Sequence, residues 1–528
     1  MGQAPHDRQH LASESHNNKG YCDSCKRLVS AVHVEEGGKV YFVKTCPQCG
    51  ETRDLLSGDA RRYDIKRELD GGYNYTGCAV NCLDCPKHKK PTFVFLDVTN
   101  RCNLNCPICI NNTPSMGFTF DPPIDYFENI FKELSTFPLR PAVQLFGGEP
   151  TVRKDLFDII KMCQSYGLAA RVVTNGVKLA DREYCKRLVE SKATILIAYD
   201  GANPNTYSLL RQAGSSLPLK QKAIENLVEL GAKKVGLMTC IGKGINDNEL
   251  PDLIRFCHDR RNTIRGINFM PLVHTWDPAK LDLNPERMTS EDIEQTLKNC
   301  FPGLETDFVP AGVFGRIPHL VKSLKIKPPP FAGAHPNCES FYLLVSNGEE
   351  YVPFEWYLKS SLPAMMKDLI ATEERHAARV RKLDVSVGGK LLAAIRLKGA
   401  WSWLMGGTSF LKVARRNLSF GRFFKGKGLA KVWHGLCALT GLIVGRRTAS
   451  VLARHTRFQQ QLQLIVLPFE DLSVLETERL ERCPNAFVFW DPKDERLKHV
   501  PVCAWNLHKR KVMRAIAEHY AAQPATTA

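Results

Sequence analysis

The sequence predicts an α/β protein whose main domain is a partial (β/α)6 barrel, and two observations lead to this fold class. From residue 92 onward, short apolar runs alternate with amphipathic stretches at a fairly regular step. Such alternation is typical of parallel strands that are covered by helices and curled into a complete or partial barrel. In addition, cysteines cluster at short spacings before this region and return after it, which indicates metal-binding segments at both ends.

The elements of the barrel follow from the apolar runs. We expect strands at residues 92–99, 142–148, 169–176, 193–201, 234–242 and 266–273. Between them lie amphipathic stretches such as PIDYFENIFKEL, DLFDIIKMCQSYG and LKQKAIENLVELG, which we expect to be helices. Active sites of such barrels form where the strands end, at the carboxyl edge of the sheet. Candidate functional residues are therefore those that follow each predicted strand.

Before the barrel, two CxxC pairs indicate a small metal-binding ribbon. Cys22 and Cys25 form one pair, Cys46 and Cys49 form the other, and a Gly-Gly sequence between the pairs predicts a hairpin. Two such pairs supply the four thiolates of a tetrahedral site for zinc or mononuclear iron. We expect this site to stabilise the ribbon rather than to take part in catalysis.

A second cysteine pattern, Cys-x3-Cys-x2-Cys, occurs twice in close succession. It is found at Cys78, Cys82 and Cys85 and again, directly after the first predicted strand, at Cys102, Cys106 and Cys109. Three thiolates from one loop can hold three irons of a [4Fe–4S] cluster and leave the fourth iron open to a small molecule. The 19 cysteines of the chain do not suggest a disulfide framework, because we expect a cytosolic protein whose thiols are kept reduced.

The triplet after the first strand and the turn GGEP after the second resemble the radical S-adenosylmethionine (SAM) superfamily. One departure is Ile108, since the residue before the third cysteine is often aromatic in that superfamily. The resemblance implies a [4Fe–4S] cluster on Cys102, Cys106 and Cys109 whose open iron is chelated by SAM. Reductive cleavage of SAM then yields a 5′-deoxyadenosyl radical that abstracts hydrogen from unactivated C–H bonds.

The same resemblance implies residues that contact SAM. Gly147 and Gly148 would allow close backbone approach, and Glu149 is a plausible acceptor for the SAM amino group. The full set of expected contacts comprises Gly147, Gly148, Glu149, Pro150, Thr174, Asn175, Asp200 and Arg211. For the last four, the alternative is that polar residues at strand ends are ordinary turn formers.

Over nearly the whole chain, the order of motifs resembles tetraether lipid synthase and its bacterial relatives, which join the ends of two lipid tails into membrane-spanning lipids. The motifs are the double CxxC ribbon, GCAVNCLDCP, DVTNRCNLNCPIC, HPNC and, near the end, RC and VCAWNL. The resemblance implies one or two auxiliary [4Fe–4S] clusters. Their candidate ligands are Cys78, Cys82, Cys85, Cys338, Cys483 and Cys503, and the spacing does not decide which cysteine completes which cluster.

The resemblance also implies a reaction scheme and its partners. One tail radical would be held at an auxiliary cluster until a second SAM cleavage activates the other tail. The electrons would come from a reductant such as flavodoxin or ferredoxin, and the substrate would be a phospholipid. The sequence does not indicate whether the tails are ester-linked or ether-linked.

A basic segment near the end of the chain bears on the partner. Between Asp384 and Glu470 there is no acidic residue, and 14 Lys and Arg residues are mixed with Trp and Phe. Three interpretations are open: amphipathic helices at a membrane surface, an ordinary basic surface, and nucleic-acid binding. We favour the first, which predicts a cytoplasmic protein peripherally attached to the inner face of the cell membrane, and we do not expect nucleic acid as a partner.

The chain therefore divides into seven segments. In order they are a disordered tail (1–20), the double-CxxC zinc or rubredoxin-like ribbon (21–60), an N-terminal auxiliary cluster segment (61–91), the radical SAM partial barrel (92–285), a C-terminal region with a hairpin after Cys338 (286–384), the basic amphipathic helices (385–469) and a C-terminal cluster-binding segment (470–528).

Three other functions remain as alternatives to lipid tail coupling. A radical SAM methylase of a pterin or another small heteroaromatic would need a polar pocket and has no use for the basic segment. A tRNA-modifying radical SAM enzyme would use the ribbon and the basic segment for nucleic acid. An electron-transfer or metal-binding protein would leave the GGEP turn and the open-iron triplet unexplained.

Overall fold

The computed structural model of the protein describes residues 9–10, 17–85, 88–111, 113, 116–275, 281, 283–324, 326, 330–386, 388, 398–443, 446, 448–458 and 460–521. Parts of every predicted segment except the ribbon lie outside these residues, and the largest omissions are in the tail 1–20 and the basic segment 385–469. The described strands form two sheets, one of five strands and one of twelve.

The smaller sheet is the predicted N-terminal ribbon. Its strands are β1 (Gln9–His10), β2 (Lys19–Tyr21), β3 (Leu28–Glu36), β4 (Lys39–Cys46) and β5 (Gly50–Ser57), and helix α1 (Ala60–Glu68) follows. Between β3 and β4, Gly37 and Gly38 have φ angles of +59° and +74°, a left-handed turn conformation that favours glycine. Because this hairpin pairs Ser30 with Thr45, it brings the two CxxC pairs to the same end of the ribbon.

Six parallel strands form the middle of the larger sheet and follow one another in chain order. They are β6 (Phe93–Thr99), β7 (Ala142–Gly147), β8 (Ala169–Thr174), β9 (Thr194–Ala198), β10 (Val235–Ile241) and β11 (Ile264–Pro271). The helices that alternate with them are α2 (Ile124–Ser135), α3 (Leu156–Ser165), α4 (Arg182–Glu190), α5 (Pro204–Arg211), α6 (Ser216–Glu229) and α7 (Leu250–Asp259). The six predicted runs are therefore all strands.

Later parts of the chain extend this sheet at both ends. The added strands are β12 (Val309–Pro310), β13 (Ser340–Ser346), β14 (Tyr351–Pro353), β15 (Gln460–Val466), β16 (Asn485–Asp491) and β17 (Arg496–Pro501). β15 is parallel to β11 and β16 is parallel to β6, whereas β13 and β17 are antiparallel to their neighbours. Among the described strands, the two ends of the sheet do not pair with each other, so the sheet is mixed and the barrel is partial.

The remaining helices lie after the barrel strands. They are α8 (Ser290–Asn299), α9 (Pro318–Ser323), α10 (Leu362–Val385), α11 (Lys398–Asn417), α12 (Phe420–Phe423), α13 (Leu429–Ile443), α14 (Thr448–His455), α15 (Thr477–Glu481) and α16 (Trp505–Ala521). Four of them, α11 to α14, belong to the basic segment predicted at 385–469, whereas the end of that segment forms strand β15 (Gln460–Val466) of the larger sheet.

The two faces of β6 illustrate how the sheet separates core from cavity. Val94, Leu96 and Val98 are fully buried in the main core, where the helices cover the outer face of the sheet. Phe93 and Phe95 alternate with them and line a cavity on the inner face, as the period-two geometry of a strand requires. Burial on both faces is expected for parallel strands.

The ribbon is attached to a segment that lies hundreds of residues away in the chain. The His33 Nε2 and Glu476 Oε2 atoms are 2.7 Å apart, and both side chains are fully buried. Asn18 Nδ2 donates to the same carboxylate at 3.2 Å, and the backbone N–H of Lys19 donates to Thr477 Oγ1 at 2.9 Å. Asn18 and Lys19 were assigned to a disordered tail from the sequence, so ordered structure begins before the expected boundary at residue 20.

Candidate active site

The triplet Cys102, Cys106 and Cys109 lies in the loop after β6, at the carboxyl edge of the sheet, as the sequence predicts. Within this loop the N–H of Leu104 donates to Cys102 Sγ at 3.4 Å. All three cysteines line the inner cavity of the barrel, which we call the triplet cavity. A group held by the three sulfur atoms would therefore be exposed to whatever fills the barrel.

Gly147 and Gly148 press the neighbouring turn against the backbone of this cysteine loop. The N–H of Gly148 donates to the Thr99 carbonyl, and the N–H of Glu149 donates to the Arg101 carbonyl, each at 2.8 Å. A Cβ added at Gly147 would lie 2.2 Å from the Thr99 oxygen, and one at Gly148 would lie 2.0 Å from the Arg101 oxygen. The sequence predicts that these glycines allow close approach of SAM. In the structure, the atoms that leave no space for a side chain at either glycine are the backbone oxygens of Thr99 and Arg101.

Glu149 is buried at the centre of a hydrogen-bond network. Its Oε1 accepts from the N–H and Oγ1 of Thr151, at 3.1 and 2.6 Å, and from Thr174 Oγ1 at 2.7 Å. Its Oε2 accepts from the N–H of Asn175 at 2.7 Å. Glu149 thus fixes the end of β8, and its contact with a SAM amino group stays a prediction.

Asp200 and Arg211, both expected to contact SAM, form an ion pair with each other. The Arg211 Nε and Nη2 atoms donate to the two Asp200 oxygens at 2.9 and 3.0 Å. Burial would raise the pKa of Asp200, but the Arg211 guanidinium outweighs burial and lowers it. Arg211 lines the triplet cavity together with Gly147, Gly148, Glu149, Thr174 and Asn175. Pro150 and Asp200 are buried beside these residues and are not part of the cavity wall.

Sequence reasoning missed Lys220, which supports the same loops from α6. Its Nζ donates to the carbonyls of Asn175 and Ala198, at 2.6 and 2.8 Å. Burial lowers the pKa of Lys220 to about 8, an effect that Asp200 partly opposes. The sequence contains a pattern that could have identified Lys220. It lies at helical spacing from Ala223 and Leu227, on the apolar face of α6, and a lysine on a buried face is normally paired with polar acceptors.

A second missed group connects the C-terminal helix to the cysteine loop. Lys509 Nζ lies 3.1 Å from Asp97 Oδ2 and donates to the Asn111 carbonyl at 3.0 Å. Asn111 Nδ2 in turn donates to Asp97 Oδ1 at 3.2 Å and to the Gly147 carbonyl at 2.6 Å. Trp505 Nε1 also donates to Asp97, at 3.1 Å. Like Lys220, Lys509 interrupts an apolar helical face, here that of α16.

The structure divides the six candidate auxiliary ligands into two groups of three. Cys338, Cys483 and Cys503 line the triplet cavity together with the first triplet. Cys78 and Cys85 line a separate cavity that also includes His88 and Glu481, and Cys82 is buried beside these two cysteines. The spacing in the sequence could not make this division, because Cys338, Cys483 and Cys503 come together only through tertiary contacts.

The chemistry of these thiols fits iron–sulfur clusters. Burial, the Glu149 carboxylate and the neighbouring thiols raise the pKa of Cys102 to about 12, and burial likewise raises the pKa of Cys338, Cys483 and Cys503. Burial and the other two thiols of its triplet raise the pKa of Cys82 to about 12. Thiolates at such positions need a cationic partner, and iron supplies one. The three groups could thus each hold a cluster through three thiolates.

The four ribbon cysteines fit a zinc ion. The sulfur atoms of Cys22, Cys25, Cys46 and Cys49 all lie within 4.8 Å of one another, and those of Cys25 and Cys46 are 3.8 Å apart. Zn–S bonds of about 2.3 Å in a tetrahedron place sulfur atoms about 3.8 Å apart. Among the described residues, this is the one group of three or more potential ligands gathered so tightly.

Two protein-family models match these two parts of the chain. The model of the radical SAM superfamily matches residues 96–257, which include the Cys102 loop and most of the barrel strands. The model of the HMPTM N-terminal zinc ribbon domain matches residues 16–58, which include all four ribbon cysteines.

The chain is also similar to individual proteins. The 7,8-dihydro-6-hydroxymethylpterin dimethyltransferase of Methanocaldococcus jannaschii is 36% identical over 355 residues, which are 64% of this chain and 69% of that protein. The GTP 3′,8-cyclase of Nautilia profundicola is 34% identical over 194 residues, which are 34% of this chain and 57% of that protein. The structure of Streptococcus suis SuiB bound to S-adenosylmethionine aligns with a TM-score of 0.34 and 17% identity, over 40% of this chain and 47% of that chain. These comparisons do not show a relationship to a lipid synthase.

The close contact at Gly148 predicts the effect of adding a single carbon. In Gly148→Ala the new Cβ meets the Arg101 oxygen, so we expect the loop to shift, the iron content to fall and the free energy of unfolding to drop by about 1–3 kcal/mol. Gly407→Ala is the control, because nothing lies within 4 Å of a Cβ added there. Iron analysis and urea unfolding measure both effects, and a Gly148→Ala protein with unchanged iron and stability would show the contact to be unimportant.

The ribbon site predicts the response to losing one thiolate. Cys25→Ser should lose one equivalent of zinc and leave the ribbon open to proteolysis, because structural zinc supplies much of the folding energy of such domains. Mass spectrometry of total zinc and iron, with Cys437→Ser as the control, measures the change. Zinc retained in full by Cys25→Ser, or iron in its place in the unmodified protein, would contradict a zinc ribbon.

Proposed function

Since the chain belongs to the radical SAM superfamily, we propose that it forms a carbon–carbon bond at an unactivated carbon of a substrate held in the triplet cavity, and that this substrate is the hydrocarbon tail of a membrane lipid. The observation that carries the proposal is the lining of the cavity. Besides the six cysteines, its wall is mainly apolar and includes Phe95, Phe146, Val173, Met238, Met270 and Leu467.

In this proposal the cysteines hold the cluster, and the residues around them bind SAM and the substrate. With SAM, a [4Fe–4S] cluster on Cys102, Cys106 and Cys109 supplies a carbon-centred radical able to abstract hydrogen from an inert C–H bond. The residues that would hold SAM are those at the turn around Gly148 and at the end of β8, which line the same cavity as the triplet. The chain also surrounds the tail with apolar side chains, which exclude water and other hydrogen donors.

Joining two tails requires that each tail lose one hydrogen atom before the new bond forms. Two hydrogen abstractions and two SAM molecules are therefore needed for each bond. The auxiliary candidates Cys338, Cys483 and Cys503 line the same cavity as the first triplet. A substrate between the two triplets would be within reach of both, and this arrangement supports a reaction with two activation events.

The exposed surface of the basic segment also supports a lipid substrate. Large apolar side chains are exposed along α11 to α14 although charged residues surround them. They include Trp401, Leu404, Phe410, Leu411, Phe420, Leu429, Val432, Trp433 and Leu436. Exposed Trp, Phe and Leu beside Lys and Arg are typical of helices that lie at the surface of an anionic membrane. None of the described helices combines the length and apolar character needed to cross a membrane, so we propose peripheral attachment at the inner face of the cell membrane.

The second candidate is C-methylation of a pterin or a similar heteroaromatic. The comparisons support this candidate more directly than lipid coupling, because the relative that is 36% identical is a pterin dimethyltransferase. One feature of the cavity also suits it: Glu339 lines the cavity, and its buried Oε2 has no hydrogen-bond partner among the described residues. A carboxylate in this position could accept N–H groups of a heteroaromatic ring.

A lipid analysis decides between the two candidates. An anaerobic host that produces this protein should contain long-chain dicarboxylic or doubled-chain species after lipid hydrolysis, and a host producing Cys102→Ala should not. Mass spectrometry of lipids and of extracted pterins from the same cells measures both products. Unchanged lipids together with a methylated pterin that depends on Cys102 would replace lipid coupling by methylation.

Membrane attachment has its own test. The double variant Trp433→Glu, Leu436→Glu should lose co-sedimentation with anionic phosphatidylglycerol vesicles, because it places charge on the exposed apolar face of α13. Leu219→Glu is the control, since Leu219 is an exposed apolar residue on the barrel helix α6, outside the basic segment. Equal sedimentation of all three proteins would contradict a membrane-binding role for the segment.

A further inference from the structure

A second cavity lies at the amino-terminal ends of the barrel strands, opposite the cysteine triplet. Its volume is about 570 Å³, which is within the usual range for small-molecule sites. Small residues at the beginnings of strands, among them Ala142, Thr194 and Gly236, line it. They leave open a region that bulky side chains fill in closed barrels.

The second cavity meets the triplet cavity inside the barrel. Arg171, Leu196, Asn268 and Phe331 line both cavities and therefore form the boundary between them. Along β8, Arg171 lies three residues before Thr174, which lines the triplet cavity, and this separation corresponds to about 10 Å. One elongated molecule could thus occupy both spaces.

The charged residues that line the second cavity are all basic, so we call it the basic cavity. Its wall includes Arg140, Lys234 and Arg265 in addition to Arg171, and no Asp or Glu is among its described lining residues. Four cations without a carboxylate produce a positive potential that a low-dielectric wall strengthens. The triplet cavity beyond the boundary is mainly apolar.

Arg171 is the residue that points to a ligand. Its Nε is buried without a hydrogen-bond partner, and its guanidinium carbon lies 5.1 Å from the centre of the Phe93 ring. No described carboxylate acts on its pKa, for which burial is the one cause of the shift. Burial lowers the pKa of Arg171 only to about 10, so the group is charged at neutral pH. The side chain as a whole is partly exposed to the two cavities, and a cation in this position without an anion is poorly compensated, so an anionic ligand would stabilise it.

We propose that the basic cavity binds the phosphate of an anionic amphiphile whose apolar part extends past Arg171 into the triplet cavity. This inference rests on the proposed function, in which the substrate is a lipid, and adds the orientation of that lipid. The reacting carbon then lies on the order of 10 Å or more from the phosphate, which places it along the tail and away from the headgroup.

The surroundings of the basic cavity agree with entry from a membrane. Phe314 lines the cavity in the turn that leads into α9. α9 packs against α11 of the basic segment, where Ser323 Oγ and Ser402 Oγ are 3.0 Å apart. The wall of the basic cavity and the exposed apolar helices are therefore connected through one short helix.

Direct binding to the full chain with its clusters reconstituted tests the proposal. The probe is monomeric dihexanoyl-phosphatidylglycerol, measured by calorimetry, with neutral dihexanoylglycerol and inorganic phosphate as comparison ligands. We expect Arg171→Gln to weaken binding of the anionic lipid at least tenfold and to leave binding of the neutral lipid unchanged. Arg255→Gln, which removes an exposed arginine on α7, should bind like the unmodified protein.

Each outcome of the binding experiment either supports or overturns the proposed phosphate site. Equal affinity of Arg171→Gln and the unmodified protein for the anionic lipid, within twofold, would overturn the proposal. Inorganic phosphate that binds as tightly as the lipid would show a free-anion site and would also overturn it. If Arg171→Gln fails to fold, Lys234→Gln at the exposed rim serves instead, with an expected loss of at least threefold. Because no turnover is needed, a confirmed phosphate site combined with unchanged cellular lipids would refute the proposed function alone.

Discussion

The candidate site depends on the contact between two backbone segments, residues 99–101 after β6 and residues 147–149 after β7. Two hydrogen bonds of 2.8 Å join them, and two glycines permit the approach. Because β6 and β7 are parallel neighbours, the cysteine loop and the Gly-rich turn leave the sheet side by side. Glu149 can then extend toward β8, where Thr174 and Asn175 donate to it. The positions of the triplet, the turn and the end of β8 are thus one connected arrangement.

Two buried lysines hold this arrangement from outside the barrel. Lys220 approaches from α6 and donates to carbonyls after β8 and β9, while Lys509 approaches from the C-terminal helix and reaches Asp97 and the cysteine loop. Each lies on a helix face whose other members are apolar. A charge at such a position is costly unless it finds polar acceptors. Lys220 finds the carbonyls of Asn175 and Ala198, and Lys509 finds the Asn111 carbonyl and the Asp97 carboxylate.

Much of the fold could be predicted from the sequence, because local sequence patterns determine it. The six apolar runs, the Gly-Gly hairpin and the double CxxC ribbon depend on neighbouring residues, and the radical SAM α/β fold with its zinc ribbon is confirmed. The rest depends on distant contacts. β15 and β16 join the sheet from residues beyond 459, and Cys338, Cys483 and Cys503 meet in one cavity only after those strands are in place. The roles of Gly148, Lys220 and Lys509 also required knowledge of what lies across from them.

The attachment of the ribbon to Glu476 has a consequence for the order of events during biogenesis. His33 leaves the ribosome early, and its buried partner follows 443 residues later. The hydrogen bond from Lys509 to the Asn111 carbonyl likewise forms only after residue 509 has been synthesised. Contacts between such distant residues form slowly. The four ribbon cysteines precede the barrel in the chain, whereas the wall of the triplet cavity is complete only once Cys503 has been made and α16 has followed it.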